Sequence, residues 1–188
     1  MKKLIYCLSI LAITLSYSCQ NDDDDGPLST TLSYDGENFS GPLIPAGVNE
    51  AAVRFTSDFL RDYVGRDLIE VSFFLGALPA GCVLKIYGEG TSTTPGNLLL
   101  EADVTTDVVS SAWNILTLGA PIEITGEDIW ISVELTHNQA QQSIGCDSGP
   151  NQANGDWLFL ENDNNWETYI SRTSESVNWN IRGRVSEN

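Results

Sequence analysis

The chain shows a period of two along much of its length. Between residues 68 and 75, Ile69, Val71, Phe73 and Leu75 alternate with Leu68, Glu70, Ser72 and Phe74, the spacing of a strand with one face toward a core. The same alternation runs through Cys82–Tyr87 and Ile129–Leu135. It returns where Val177, Trp179, Ile181 and Val185 oppose Asn178, Asn180, Arg182 and Arg184. Further strands are expected over 51–56, 98–105, 113–118, 121–124 and 157–160. Turn signals separate them: Leu78-Pro79-Ala80-Gly81, Gly88-Glu89-Gly90, Thr94-Pro95-Gly96 and Gly119-Ala120-Pro121. One segment near 57–64 has helical spacing instead, with Ser57 as cap, Asp58 in the first turn, Phe59, Leu60 and Tyr63 on one face, and Gly65 as the stop. Many short strands at such intervals predict an all-β fold, a jelly-roll-like β-sandwich with one short helix. No internal repeat marks a propeller or a solenoid.

The pattern is different at the N-terminus. Met1-Lys2-Lys3 precedes a run of apolar residues, LIYCLSILAITL, shorter than the roughly 20 that a spanning helix needs. Small residues then lead into a cysteine: Ser16-Tyr17-Ser18-Cys19. This is the layout of an export signal over residues 1–18, and it resembles the signal of a bacterial lipoprotein, which implies Cys19 as the lipidated first residue of the mature chain. Simple cleavage after Ser18, releasing a free protein, fits the same residues. Residues 19–29 contain Asp22, Asp23, Asp24 and Asp25 and read as an acidic flexible tether. Residues 30–188 then form a single domain large enough for a proper core.

Charge narrows the range of partners. The formal net charge is −17, and it becomes more negative once Lys2 and Lys3 are removed. Nucleic acid is excluded, because binding a phosphate backbone needs clustered Lys and Arg. No basic patch is available to attract an anionic membrane, so membrane contact is expected through the lipid on Cys19. Of the four cysteines, Cys82 and Cys146 lie in the domain itself, and in an exported protein they are expected to pair as a disulfide. Closing that loop of about 64 residues stabilises by roughly 4 kcal/mol in the chain-entropy account. Two buried free thiols are the alternative.

Catalytic motifs are sparse. His137 is the one histidine, and a nucleophilic triad would have to use it as the base. Gly145-Cys146-Asp147-Ser148-Gly149 has the frame of a nucleophile elbow but carries Asp where the serine belongs. Zinc-ligand spacing is missing, and paired carboxylates are unspecific among 26 acidic residues. No cofactor is expected; calcium is the one candidate, from the oxygen-rich segments 146–157 and 161–166. Those residue types also serve ordinary tight turns.

The tryptophans are more informative. Trp113 and Trp179 fall on apolar faces and read as core. Trp130 falls opposite Ile129, Ile131 and Val133, beside Ser132 and Glu134, where an exposed indole could stack on a sugar ring or anchor a protein contact. Trp157, Trp166 and Asp156, set in polar loops, complete the candidate ligand-binding set.

The stretches PGNLLLEADV, WNILTLGAPIEITGEDIWISVEL, GCDSGPNQANGDW and WNIRGRV occur in that order. Together they resemble jelly-roll-like β-sandwich modules of exported proteins and surface lipoproteins of Bacteroidota-type bacteria, sometimes appended to secreted peptidases. The resemblance spans residues 48–186. It implies an outer-membrane, cell-surface location, with Asp22 to Asp25 matching the acidic export signal that follows a lipidated cysteine. It also implies an accessory or adhesion role with no transferable catalytic residues. The expected function is therefore a non-catalytic surface module that binds a glycan or a surface protein. A carboxylate-dependent glycan hydrolase and a structural subunit of a surface complex are the alternatives.

Overall fold

A computed structural model describes residues 29–187. The expected leader, Cys19 and the Asp22–Asp25 run lie outside the described residues. The strands are β1 (Thr31–Leu32), β2 (Gly47–Phe55), β3 (Asp67–Leu75), β4 (Gly81–Tyr87), β5 (Leu98–Asp103), β6 (Ala112–Glu123), β7 (Ile129–His137), β8 (Trp157–Leu160), β9 (Asn165–Thr168) and β10 (Ile181–Val185). Two short helices interrupt them, α1 (Ser57–Leu60), which tightens into a 3-10 turn over Arg61–Tyr63, and α2 (Tyr169–Thr173).

All strand pairs are antiparallel, in two sheets: a four-stranded one in the order β1-β10-β3-β6 and a six-stranded one in the order β5-β4-β7-β2-β8-β9. The expected all-β sandwich is the fold observed. The core follows from the period of two. In β4, Cys82, Leu84 and Ile86 are buried while Val83, Lys85 and Tyr87 face outward. Phe73, Leu75, Ile131, Val133, Trp179 and Ile181 join the same core. Each such side chain contributes about 1.5–3 kcal/mol through its removal from water.

β7 departs from this rule. It lies between β4 and β2, and its inward residues Ile129, Ile131, Val133 and Leu135 are buried as expected. Its outward residues Trp130 and Ser132 are also 0% exposed. The middle of the six-stranded sheet is thus covered on both sides, and the candidate site is built on this outer cover.

The structure differs from the sequence reading at several points. Gly119-Ala120-Pro121 makes no turn: β6 runs through it, and the register shifts between Leu68 and Glu70 on the partner strand. Because β6 is an edge strand, a proline without an N–H costs little there. α1 starts one residue early, with Thr56 accepting from the Phe59 amide at 3.4 Å. Gly65 follows the 3-10 turn at φ +84°, a left-handed conformation that glycine adopts at low cost. β9 and α2 carried no periodic signal and were not expected.

The expected disulfide is not formed. Cys82 and Cys146 are both free and buried. Cys82 is fixed in β4, opposite Leu135 of β7, whereas Cys146 forms isolated bridges with Ser40 and Trp179. Each behaves as a small core hydrophobe held by its own backbone pairing. Burial pushes the Cys82 thiol up to about 12, with the charge of Asp103 adding to the effect. The Cys146 thiol is pushed up to about 11 by burial and then by Asp147 and Glu175.

Candidate functional site

The register of the six-stranded sheet arranges its outward side chains in rows. One row runs Asp103, Val83, Glu134, Glu50, Phe159 and Trp166 across β5, β4, β7, β2, β8 and β9. The next runs Glu101, Lys85, Ser132, Ala52, Trp157 and Thr168. A shorter third row holds Tyr87, Trp130 and Arg54. One end of the face is therefore acidic and polar, and the other is aromatic.

The aromatic end unites the three sequence-predicted tryptophans. Trp130 lies 5.2 Å from Trp157 and 5.9 Å from Trp166, between ring centroids, and Phe159 lies 5.7 Å from Trp166. Ala52 is the small residue at the middle of the face, and with Trp130 and Trp157 it forms a second apolar cluster separate from the main core. The Arg54 guanidinium stacks 5.6 Å above Trp130 and is anchored by Asp128 at 2.5 Å.

This geometry corrects the expectation for Trp130. It is not an exposed platform but the floor of the cluster, closed over by Trp157, Trp166, Tyr87 and Arg54. Its Nε1–H is buried without a partner. Trp157 is nearly as covered, at 7% exposure, with its Nε1 donating to Asn154 Oδ1 at 3.4 Å. The rings that reach solvent are the half-buried Trp166, Phe159 and Tyr87.

Beside the floor lies a polar network. Glu50 Oε1 accepts from the Tyr87 hydroxyl at 2.9 Å and from the Ser132 hydroxyl at very short range. Lys85 Nζ donates to Glu134 at 2.5 Å and lies 3.7 Å from Glu50. Burial raises the Glu50 carboxyl above its ordinary range, against the lowering pull of Ser132, Lys85 and Tyr87. Burial pulls the Lys85 ammonium down, but its hydrogen bond to Glu134 and the charges of Glu50, Glu134 and Glu101 outweigh this and leave it raised. Burial and then the Glu50 charge push the Tyr87 phenol up as well, so it stays protonated and donates. The network is pre-organised: its donors and acceptors point at one another on neighbouring strands.

Asp156 lies apart from this face. It is 0% exposed and holds the start of α2, accepting from the Ile170 amide at 2.9 Å through Oδ2 and from the Tyr169 amide at 2.7 Å through its backbone carbonyl. It is a structural residue, and its burial excludes it from the surface that a ligand would meet.

Asp147, in the segment considered for calcium, is spent in a similar way. It accepts from the amides of Gly36, Gly149 and Asn178 and from Asn178 Nδ2, all at 2.8–3.0 Å. Burial pushes its carboxyl up, but these donors outweigh it and hold the group below its usual range. Among the described residues, no group of three or more His, Cys, Asp or Glu side chains converges as a metal site.

His137 ties loops together. Its Nδ1 faces the Pro45 carbonyl at 3.3 Å and its Nε2 meets the Ser143 hydroxyl at 2.9 Å, while Gln141 donates to that hydroxyl at 2.8 Å. Among the described residues no carboxylate orients the ring, and Ser143 is 0% exposed, so this Ser–His contact has no access to a substrate. A groove of about 550 Å³ lies elsewhere, lined by Phe39, Leu43, Tyr169 and Val177 among others, and it contains none of the candidate ligand-binding residues.

Glu50, Lys85, Ser132, Tyr87 and Phe159 were not singled out from sequence. Their outward positions were legible for β4 and β7 from the period of two. That β4, β7, β2 and β8 are neighbours was not.

No protein-family model matches the chain, and no curated protein matches it. Among solved structures it is similar to the clostridial cysteine protease Cwp84 after propeptide cleavage, with a TM-score of 0.58 and 14% identity over 86% of this chain and 41% of that one. A second structure, of the cysteine protease and lectin-like domains of Cwp84, a surface layer associated protein of Clostridium difficile, aligns with a TM-score of 0.49 and 14% identity. It covers 75% of this chain and 32% of that one. The chain thus spans less than half the length of either structure. At this identity the likeness is one of fold.

Proposed function

We propose that this chain is a non-catalytic β-sandwich module that binds a glycan through the outer face of its six-stranded sheet. The observation that carries the reading is the rim of half-buried rings, Trp166, Phe159 and Tyr87, set beside a row of fixed polar groups. Sugar recognition asks for that combination: a ring face for the C–H side of a pyranose and fixed acceptors for its hydroxyls. Burial of Trp130 and Trp157 supports the same reading, since a packed floor holds the rim rings in place before a ligand arrives.

A hydrolase would use Glu50 and Glu134, which lie directly opposite each other on β2 and β7. Lys85 bridges the two carboxylates. A reacting glycosidic oxygen and a water would need that place, and the arrangement favours binding over cleavage.

For location, the reading keeps the surface lipoprotein inferred from Ser16-Tyr17-Ser18-Cys19 and the aspartates that follow. The chain is carried to the outer membrane, anchored through Cys19 and exposed at the cell surface, with the domain at the end of an acidic tether. Cys19→Ala should move the protein from the membrane to the soluble fraction.

Binding is tested by titrating a panel of oligosaccharides calorimetrically against the wild type and Trp166→Ala. The expected result is a ligand whose affinity falls at least about tenfold in Trp166→Ala, with circular dichroism unchanged, in line with the loss of a stacking ring. A panel without binders, together with co-purification of a stoichiometric surface protein, would replace the glycan with a protein partner.

A further inference from the structure

The charge pattern of the outer face selects among glycans, an inference that rests on the glycan reading above. Lys85 is the only lysine beyond Lys3, and it is wholly engaged: its side chain is 15% exposed between Glu134 and Glu50. Arg54, the other cation of the face, is held by Asp128, by the Ser92 carbonyl at 2.9 Å and by its stack on Trp130. No cation on these three rows is free to meet an anionic ligand.

The anions are placed the opposite way. Glu101 and Asp103 are exposed on β5, in register with Lys85 and Val83, and Glu134 is partly exposed beside them. A sugar chain stacked on Trp166 and crossing the strands along its row passes Phe159 and the buried Glu50, meets Glu134 and ends at Asp103, with Glu101 at the end of the neighbouring row. Glu134 accepts hydrogen bonds from hydroxyls, which a neutral sugar supplies, while Glu101 and Asp103 repel carboxylates and sulfates at the same distance.

We propose that the face binds neutral, hydroxyl-rich glycans and rejects acidic ones, with Glu134 as the hydroxyl acceptor and Glu101 and Asp103 as the excluding charges. Specificity here comes from repulsion of the wrong ligand as much as from attraction of the right one.

The test compares hexamers of glucose, mannose and xylose with a hexamer of galacturonic acid, at low ionic strength where the charges are least screened. The proteins are the wild type and the double variant Glu101→Gln/Asp103→Asn, both exposed positions. In the wild type, a neutral hexamer binds at least about tenfold tighter than the acidic one, the effect expected of two to three carboxylates acting across solvent. In the double variant, the affinity for the acidic hexamer rises and neutral binding stays within about twofold, as the screened reach of surface charges allows. A wild type that binds galacturonate as tightly as the neutral hexamers overturns the selectivity and leaves the glycan reading intact. So does a double variant that gains nothing. If no hexamer of either class binds, the glycan reading itself fails and the selectivity with it.

Discussion

Trp130→Ala separates a floor residue from a ligand contact. In the structure the indole is 0% exposed and packed between Trp157 at 5.2 Å, Trp166 at 5.9 Å and the Arg54 guanidinium at 5.6 Å. Truncating a fully buried aromatic ring to alanine costs about 3–5 kcal/mol, transfer and cavity terms together. Two features of this site lower the figure. Trp166 lies on the outermost strand and can relax into part of the space. The Nε1–H of Trp130 is buried without a partner, a burden of about 1–3 kcal/mol that the alanine variant no longer carries.

The net expectation is a loss of about 2–3 kcal/mol. For a domain of this size that corresponds to a melting midpoint lower by roughly 5–10 °C. Trp130→Phe keeps a ring and discards the orphan donor, so it should lie within about 1 kcal/mol of the wild type. Thermal and urea unfolding followed by far-ultraviolet circular dichroism measures both. A Trp130→Ala protein that melts within about 2 °C of the wild type but no longer binds its ligand would refute the argument, because an indole at the surface would be touching that ligand directly.

Two further perturbations follow from the buried titratable groups. Burial lowers the His137 pKa below its ordinary 6.5, against the raising effect of the Pro45 carbonyl. The unfolded chain therefore binds the proton first as pH falls, so this contribution is intact above about 6.5 and is lost as pH drops from there toward the lowered native value, with a slope of at most about 1.4 kcal/mol per pH unit. Urea midpoints at stepped pH should show this loss, and His137→Gln should remove that part of the slope; an unchanged slope would assign it to other groups. The raised thiols of Cys82 and Cys146 should resist iodoacetamide at pH 8 in the native protein. Both should label fully after denaturation without reductant, as peptide mapping would show; protection that persists under those conditions would restore the disulfide.

The fold was legible because the core is built on a simple rule. Wherever a strand has one dry face, apolar residues recur at every second position, as in Cys82, Leu84 and Ile86, and the two-sheet sandwich follows. The signal is lost where that rule is relaxed. β9 is a short outer strand with few residues to bury, so Asn165–Thr168 shows no alternation. Pro121 looked like a turn because its place on an edge strand is set by pairing, which no local pattern records.

The candidate site divides along the same line. The sequence by itself determined that Trp130, Ser132 and Glu134 share one side of their strand, and that the domain carries a single lysine in an acidic chain. Strand order brought Glu50 opposite Glu134, set Lys85 between them and gathered Trp130, Trp157 and Trp166 into one cluster. Burial on the outer face then turned Trp130 from an apparent platform into a floor. Such facts depend on which strands lie side by side, and that is settled by long-range antiparallel pairing across the whole domain, whereas periodicity reports only which side of its own strand a residue faces.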